Sequence, residues 1–220
     1  MSKIPKTLSN EESAKLIEQV SWHTATPASK RKAARNRLLG LLMLEAGLRV
    51  GELSKLKIQN LIYATRPVTN LVLSKEITKR NRERTVPLSE RIQKAIAENY
   101  DNFWIGHAPH ILCWAFCGSK YSQHITCRQI ERIINRAGQI ALGKSVNPHM
   151  LRHTFASRLM RITNIRVVQE LLGHTNIQTT QIYMHPNTDD LNKAINGLTN
   201  AETQTKEKAL QDAESNLANS

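Results

Sequence analysis

Residues 147–160, NPHMLRHTFASRLM, decide the fold because two side-chain patterns run through them at helical spacing. Leu151, Phe155 and Leu159 follow one another at intervals of four residues, which places them on one face of an α-helix. An apolar face of this kind needs to be covered by other parts of the chain. The stretch therefore predicts an amphipathic helix packed against a core.

A second face of the same helix carries His149 and Arg152, three residues apart, so both side chains can reach one small ligand. The pair suits a phosphate, because a guanidinium supplies a charged fork and an imidazole exchanges a proton. The alternative is that both side chains are simply solvated on an exposed face. For His153, near this face, we favour a structural hydrogen bond over a role in chemistry.

Downstream, residues 164–174, NIRVVQELLGH, predict a second helix with its own buried apolar face. Gly173 is suited to end this helix. His174 would then lie at a tight turn, where a side chain can be aimed at a site. Tyr183 follows nine residues later.

Upstream, residues 45–57, EAGLRVGELSKLK, place Arg49 just after Gly47, a residue suited to the end of a buried helix. Glu52 follows Arg49 by three residues. This spacing fits a solvated ion pair, which is worth less than about 1 kcal/mol. It also fits an arginine that is aimed at a phosphate and held by the carboxylate.

Residues 57–88 change character, because short stretches rich in β-branched residues alternate with turn residues. They predict a small antiparallel sheet of about three strands, within a fold that is otherwise mainly α. Residues 74–88, SKEITKRNRERTVPL, are predicted to form a hairpin of this sheet. Cations crowd its tip: Lys79, Arg80, Arg82 and Arg84. Such a tip either contacts backbone phosphates of DNA or is solvated.

The positive charge of the chain predicts a polyanionic partner. The formal net charge of the 220 residues is +13, whereas residues 201–220 hold two lysines and four acidic residues. For a folded domain this basic, the most common partner is a nucleic acid, DNA or RNA. Residues 29–37, SKRKAARNR, carry five of the positive charges and no negative one. The candidates for phosphate contacts there are Lys30, Arg31, Lys32 and Arg35.

Other patterns argue against further classes of protein. The apolar stretch 38–44 is too short to span a membrane, and the N-terminal residues lack the apolar core of a signal peptide, so we expect a cytoplasmic protein. Three cysteines at spacings that fit neither zinc nor redox motifs predict isolated thiols. Residues 138–145, GQIALGKS, match a phosphate-loop pattern, but a helical pattern precedes them instead of a strand. We therefore expect no nucleotide, metal or other cofactor.

Four stretches, in this order, together resemble the tyrosine recombinases of the integrase family. They are GLRVGEL (47–53), TKRNRERTVPL (78–88), HMLRH (149–153) and LLGH (171–174) followed by Tyr183. The resemblance covers residues 4–196 and implies the fold of a recombinase catalytic domain. It also implies site-specific cutting and rejoining of DNA through a 3′-phosphotyrosine intermediate, without a metal ion or ATP.

The resemblance implies a role for each matched residue. The catalytic set is Arg49, Lys79, His149, Arg152, His174 and Tyr183. Tyr183 would attack the scissile phosphate, His149 would accept its proton, and the two arginines would hold the non-bridging oxygens. His174 would donate a hydrogen bond to a phosphate oxygen, and Lys79 would protonate the leaving oxygen.

Two matched positions carry further implications. Glu52 matches an acidic position that supports the site. The usual Gly-Lys-Gly of the family's hairpin is Thr78-Lys79-Arg80 here, which makes Arg80 and Arg82 rivals of Lys79 in position. They are not rivals in chemistry, because a guanidinium is a poor general acid.

We further expect one catalytic domain over residues 1–198, without the N-terminal helical domain usual in the family. Residues 199–220 would form a polar tail or docking segment. The expected partners are double-stranded DNA and copies of the same chain, in a homotetramer on paired sites that is weakly associated or monomeric without DNA. The alternatives are a type IB topoisomerase, which relaxes supercoils by the same chemistry, and a catalytically silent DNA-binding regulator.

Overall fold

The computed structural model describes residues 6–78, 81–105, 112–118 and 123–173. The helices there are α1 (Asn10–Val20), α2 (Pro27–Glu45), α3 (Val50–Leu53), α4 (Ile58–Leu61), α5 (Glu90–Asn99), α6 (Cys127–Leu142), α7 (Pro148–Met160) and α8 (Ile165–Leu172), with a π-helical turn over Tyr100–Trp104. The strands are β1 (Ile62–Tyr63), β2 (Arg66–Pro67), β3 (Asn70–Leu73) and β4 (Arg84–Pro87). The prediction of a mainly α fold with a small antiparallel sheet is confirmed.

Helix α2 lies at the centre of the core. Its start is set by Thr26, whose hydroxyl accepts a hydrogen bond from the Ser29 N–H, and by Pro27, whose missing N–H costs nothing at a first helical position. Residues 38–44 of the helix are all buried. Helices α1, α5 and α7 pack against it, so this one apolar helix organises the body on which the site is built.

Helix α7 follows the amphipathic pattern of its sequence. Leu151 and Phe155 are buried, and Leu159 is half-buried. Leu151 joins the main core, whereas Phe155 packs with Val168 and Leu172 of α8 in a smaller cluster. Helix α7 therefore attaches α8 to the rest of the body.

In place of the predicted single sheet of about three strands, the described strands form two separate antiparallel pairs, β1 with β2 and β3 with β4. In β3, Leu71 and Leu73 are buried while Val72 between them faces solvent. The first part of the stretch 57–88, predicted to be strand and turn, instead begins as the helical turn α4. The physical reason is a local cap, because the side chain of Asn60 accepts a hydrogen bond from the Lys57 N–H at 2.8 Å.

Residues 138–145 do not form a phosphate loop. Helix α6 continues to Leu142 and ends at Gly143, which has a left-handed φ of 64°. Lys144 is bound to the carboxylate of Glu12, and Gly138 is buried inside the helix. The interpretation of this match as coincidental agrees with the structure.

Two further expectations concern thiols and membranes. Cys113, Cys117 and Cys127 are all free, and Cys117 is the buried one. Among the described helices, none combines the length and the apolar character that a membrane span requires.

Candidate active site

The site begins at the turn between α2 and α3. Gly47 has a φ of 62°, and a Cβ at this position would lie 2.4 Å from Cδ1 of Phe155, so only glycine fits. Two residues later, Arg49 caps the N-terminus of α3. Glu52 reaches back to this cap, with Oε2 accepting from the Arg49 N–H at 2.8 Å and Oε1 from Arg49 Nη1 at 3.1 Å. The predicted Arg49–Glu52 pair therefore forms.

Glu52 is also held by Arg84 from strand β4. Arg84 Nη1 donates to Oε1 at 2.7 Å and Nη2 donates to Oε2 at 2.8 Å, a bidentate pair. The side chain of Glu52 is 1% exposed and that of Arg84 is 8% exposed. Each carboxylate oxygen thus accepts two hydrogen bonds, one from Arg84 and one from Arg49.

The protonation state of Glu52 follows from these contacts. Burial acts to raise the pKa of Glu52. The hydrogen bonds and charge of Arg84, the Arg49 N–H and the charge of Arg152 outweigh burial and lower the pKa below its ordinary value. The carboxylate is therefore ionised at neutral pH.

Arg152 of α7 joins two distant backbone segments. Its Nη1 donates to the carbonyl of Gly47, and its Nη2 donates to the carbonyl of Leu172 at 2.6 Å. The side chain is buried. Arg84 makes a parallel contact, because its Nε donates to the carbonyl of Leu171 at 3.1 Å. Two buried guanidinium groups thus bind the last carbonyls of α8, which have no partner within the helix.

Arg49 and Arg152 border an open cleft of about 370 Å³. Its lining includes Arg49, Glu52, His149 and Arg152. Three guanidinium groups, those of Arg49, Arg84 and Arg152, surround one carboxylate, so the cluster carries excess positive charge. A positively charged, water-accessible cleft of this kind can bind an anion such as a phosphate.

The two histidines of α7 differ in their surroundings. His149 is exposed in the first turn of the helix and lines the cleft. His153 is half-buried, with its ring centre 6.5 Å from that of His149. Burial lowers the pKa of His153, and the charges of His149 and Arg152 lower it further. His153 therefore favours its neutral form.

The structure brings together four of the residues that the sequence singled out, Arg49, Glu52, His149 and Arg152. The other predicted site residues, Lys79, Arg80, His174 and Tyr183, lie outside the described residues. In the sequence, the described residues that flank them are Thr78 and Asn81 in the hairpin and Gly173 at the end of α8. The site residues therefore remain partly a prediction.

The predicted DNA contacts divide into exposed and buried side chains. Lys30, Lys32 and Arg82 are exposed, and Arg31 is half-buried. Arg35 is also half-buried, with its Nη1 donating to the carbonyl of Cys117 at 2.7 Å.

Arg84 differs most from its predicted role at the hairpin tip, because its guanidinium is committed to Glu52 and Leu171. The physical reason is the period of the strand. Arg84 and Val86 alternate along β4 and the buried Leu88 follows just beyond it. Arg84 pairs with the buried Leu73 across the sheet, so it shares the buried face. This alternation is visible in the sequence and could have identified it.

The chain matches the family model described as the phage integrase family over residues 7–190. It is 33% identical over 193 residues to tyrosine recombinase XerA of Pyrococcus furiosus. That match covers 87% of this chain and 61% of the relative, so the chain spans about three-fifths of the relative's length.

Two solved structures have the same fold. A crystal structure of XerA recombinase superposes with a TM-score of 0.69 at 28% identity, covering 89% of this chain and 66% of that one. The XerH site-specific recombinase bound to its palindromic difH substrate, in a post-cleavage complex, also gives 0.69, at 26% identity, covering 88% and 53%.

Proposed function

The chain belongs to the phage integrase family of tyrosine recombinases, and on that premise we propose that it cuts and rejoins double-stranded DNA at specific sites. The intermediate would be a covalent link between Tyr183 and a 3′-phosphate, formed without a metal ion or ATP. The observation that carries the proposal is the cleft in which Arg49 and Arg152 stand beside His149, with Glu52 behind them.

The charges of the cleft suit the proposed transition state. Attack on a phosphodiester places a second negative charge on the non-bridging oxygens. Arg49 and Arg152 are held in place before the reaction by Glu52, Gly47 and Leu172. Such preorganised donors are worth about 3–4 kcal/mol each where charge develops.

The proton and bond changes balance within one step. The Tyr183 oxygen forms a bond to phosphorus while the bond to the 5′-oxygen breaks. A free phenol is a poor nucleophile at neutral pH, so the exposed imidazole of His149 would take the Tyr183 proton. Lys79, next to the buried Thr78, would protonate the leaving 5′-oxygen. His174, next to Gly173, would donate to a phosphate oxygen.

The DNA would be held by cations outside the cleft. We assign this role to the exposed Lys30, Lys32 and Arg82, together with Arg31 and Arg80, because phosphate contacts position a duplex. Helix α6 adds a groove of about 610 Å³ lined by Arg128, Arg132 and Arg136. These side chains recur every four residues and so share one face of α6, and a helix of this kind fits the major groove of DNA.

We propose that the active assembly is a homotetramer on paired sites. The support is indirect: the related XerH was solved on a palindromic substrate, and a palindrome offers the same half-site to two copies of a protein. Pairing two such sites would bring four copies together. Residues 199–220 would then be a tail or a segment that docks on a neighbouring copy, and the reaction would take place in the cytoplasm.

A nicked suicide substrate tests the proposal. The wild-type chain should accumulate a covalent adduct on denaturing gels, and EDTA should leave its yield unchanged. Tyr183→Phe should lose the adduct while its affinity for duplex DNA stays within about twofold. Tyr63→Phe, at an exposed tyrosine of β1, is the matched control and should form the adduct normally.

Three results would count against the proposal. Adduct in the Tyr183→Phe variant would remove the nucleophile assignment, and loss of adduct in EDTA would point to a metal. Relaxation of a supercoiled plasmid that lacks any target site would favour a topoisomerase.

A further inference from the structure

Arg84 joins two parts of the site that are remote in the sequence. All three nitrogens of its guanidinium donate hydrogen bonds inside the protein, two to Glu52 and one to the carbonyl of Leu171. Glu52 precedes it by 32 residues and Leu171 follows it by 87. The side chain is 8% exposed, so it contributes to the site from behind and not from within the cleft.

We infer that Arg84 is a positioning residue, which sets the direction of Arg49 through Glu52 and fixes the C-terminal end of α8 through Leu171. The inference rests on the proposed function, because it concerns the rate of the same DNA cleavage.

The first path runs through the carboxylate. Glu52 is 1% exposed, so its carboxylate takes its hydrogen bonds from protein donors and not from water. A buried carboxylate that loses one donor is stabilised by any other donor nearby. Arg84 supplies one hydrogen bond to each oxygen, and the Arg49 side chain donates one to Oε1 of Glu52 at 3.1 Å. Without Arg84, the carboxylate would pull the Arg49 guanidinium inward, away from the cleft.

The second path runs through the C-terminus of α8. Helix-terminal carbonyls need an outside donor, and the carbonyl of Leu171 has Arg84 as its donor. Gly173 then turns the chain with a φ of 61°, and a Cβ there would lie 3.0 Å from Cδ of Arg84. Gly173, the residue that follows α8, thus lies directly against this side chain.

The test separates rate from affinity and from stability. Arg84→Gln removes both the positive charge and the guanidinium group that binds two acceptors at once. Arg84→Lys keeps the charge and removes this bidentate geometry. Adduct formation on a suicide substrate is followed in a single turnover at saturating DNA, with the dissociation constant and the melting temperature measured in parallel. Arg91→Gln is the matched control, because Arg91 makes an exposed ion pair with Glu45 away from the cleft.

We expect both Arg84 variants to lose rate at saturating DNA by about 10-fold to 10²-fold, the scale of a small misplacement of reacting groups. Their dissociation constants should change less than threefold, and Arg91→Gln should change neither quantity by more than twofold. A similar loss in Arg84→Lys would show that the bidentate geometry of the guanidinium is required and that positive charge alone is not enough.

A double-mutant cycle asks whether Arg84 acts through Arg49. If it does, the combined loss in Arg49→Lys with Arg84→Gln should be smaller than the product of the two single losses. The contact with Leu171 leaves part of the Arg84 loss in place. Losses that simply multiply would overturn the inference, because they would show that the two side chains act independently. So would a folded Arg84→Gln protein with wild-type rate, or failure of both Arg84 variants to fold, which would make Arg84 a residue of the fold alone.

Different results would refute the proposed function and the role of Arg84. A wild-type chain that forms no adduct refutes the proposed function, and the role of Arg84 in it falls as well. An active wild type with unaffected Arg84 variants refutes only the inference.

Discussion

Arg84 and Lys30 show two opposite uses of positive charge in this chain. Arg84 is buried on the inner face of a strand, and every nitrogen of its guanidinium donates to a protein acceptor. Lys30 lies on the exposed face of α2 in a stretch without acidic residues. A cation whose hydrogen bonds go to protein acceptors therefore holds other site residues in place, whereas a cation that faces solvent is available to an external polyanion.

The same division explains why buried and exposed ion pairs should respond differently to mutation. Removing one partner of a buried pair leaves the other charge uncompensated and costs about 3–5 kcal/mol. An exposed pair is screened by water and is worth about 1 kcal/mol or less. Glu52 belongs to the first kind. Glu98, which pairs with Arg37 at 2.7 Å with both side chains more than a third exposed, belongs to the second.

The largest expected effect is that of Glu52→Gln. It would leave three guanidinium groups without their shared carboxylate, and we expect the free energy of unfolding to fall by about 3–5 kcal/mol. Urea titration followed by circular dichroism measures this. Glu98→Gln is the control and should cost no more than about 1 kcal/mol. Equal losses in the two variants would erase the distinction between buried and exposed pairs.

A smaller effect is expected from alanine at two left-handed glycines. Gly173 and Gly143 have φ angles of 61° and 64°, so alanine should cost about 1–2 kcal/mol at either position. A Cβ at Gly173 also meets Arg84, whereas a Cβ at Gly143 meets nothing within 4 Å. Gly173→Ala should therefore slow adduct formation in addition, and Gly143→Ala should not. A similar cleavage rate in both variants would show that the end of α8 tolerates displacement of Arg84.

The smallest effect is a dependence of stability on pH. The pKa of His153 is lowered by burial from its ordinary value of 6.5, so the unfolded chain binds the proton more readily. Stability should fall as the pH drops below 6.5, and His153→Gln should flatten this part of the curve. The pKa of Glu52 is also lowered, from 4.5, so its contribution is present above pH 4.5 and is lost as the pH falls further.

Thermal melts between pH 7 and pH 3 would separate these two windows. Glu52→Gln should reduce only the acidic one. Part of the acidic loss should remain in that variant, because the hydrogen bond from Lys144 lowers the pKa of Glu12 as well. A melting temperature that does not change between pH 7 and pH 5 would contradict the assignment to His153.

Local patterns in the sequence predicted the parts of the site that depend on neighbouring residues. The i, i+3 spacings placed Glu52 beside Arg49 and placed His149 and Arg152 on the same cleft. Helical spacing is set by the chain itself, so such pairs can be read without knowledge of the fold.

Contacts between remote segments could not be predicted in this way. The acceptors of Arg152 are backbone carbonyls of Gly47 and Leu172, one of them 105 residues away, and every residue has a carbonyl. Arg84 shows a different difficulty, because the crowd of cations at the hairpin tip competed with the period-two alternation of β4. The alternation prevailed, since it places Arg84 opposite the buried Leu73.

The most direct measurement compares two variants that each remove one positive charge, Arg49→Gln from the cleft and Arg82→Gln from the exposed hairpin. For each, the single-turnover rate at saturating DNA and the salt dependence of the dissociation constant are determined. Arg49→Gln should lower the rate by about 10²–10³-fold with nearly unchanged affinity. Arg82→Gln should keep the rate. The slope of the logarithm of the binding constant against the logarithm of the salt concentration should become shallower by about 0.9. Loss of affinity without loss of rate in Arg49→Gln, or the reverse in Arg82→Gln, would contradict the division between cations that build the site and cations that hold DNA.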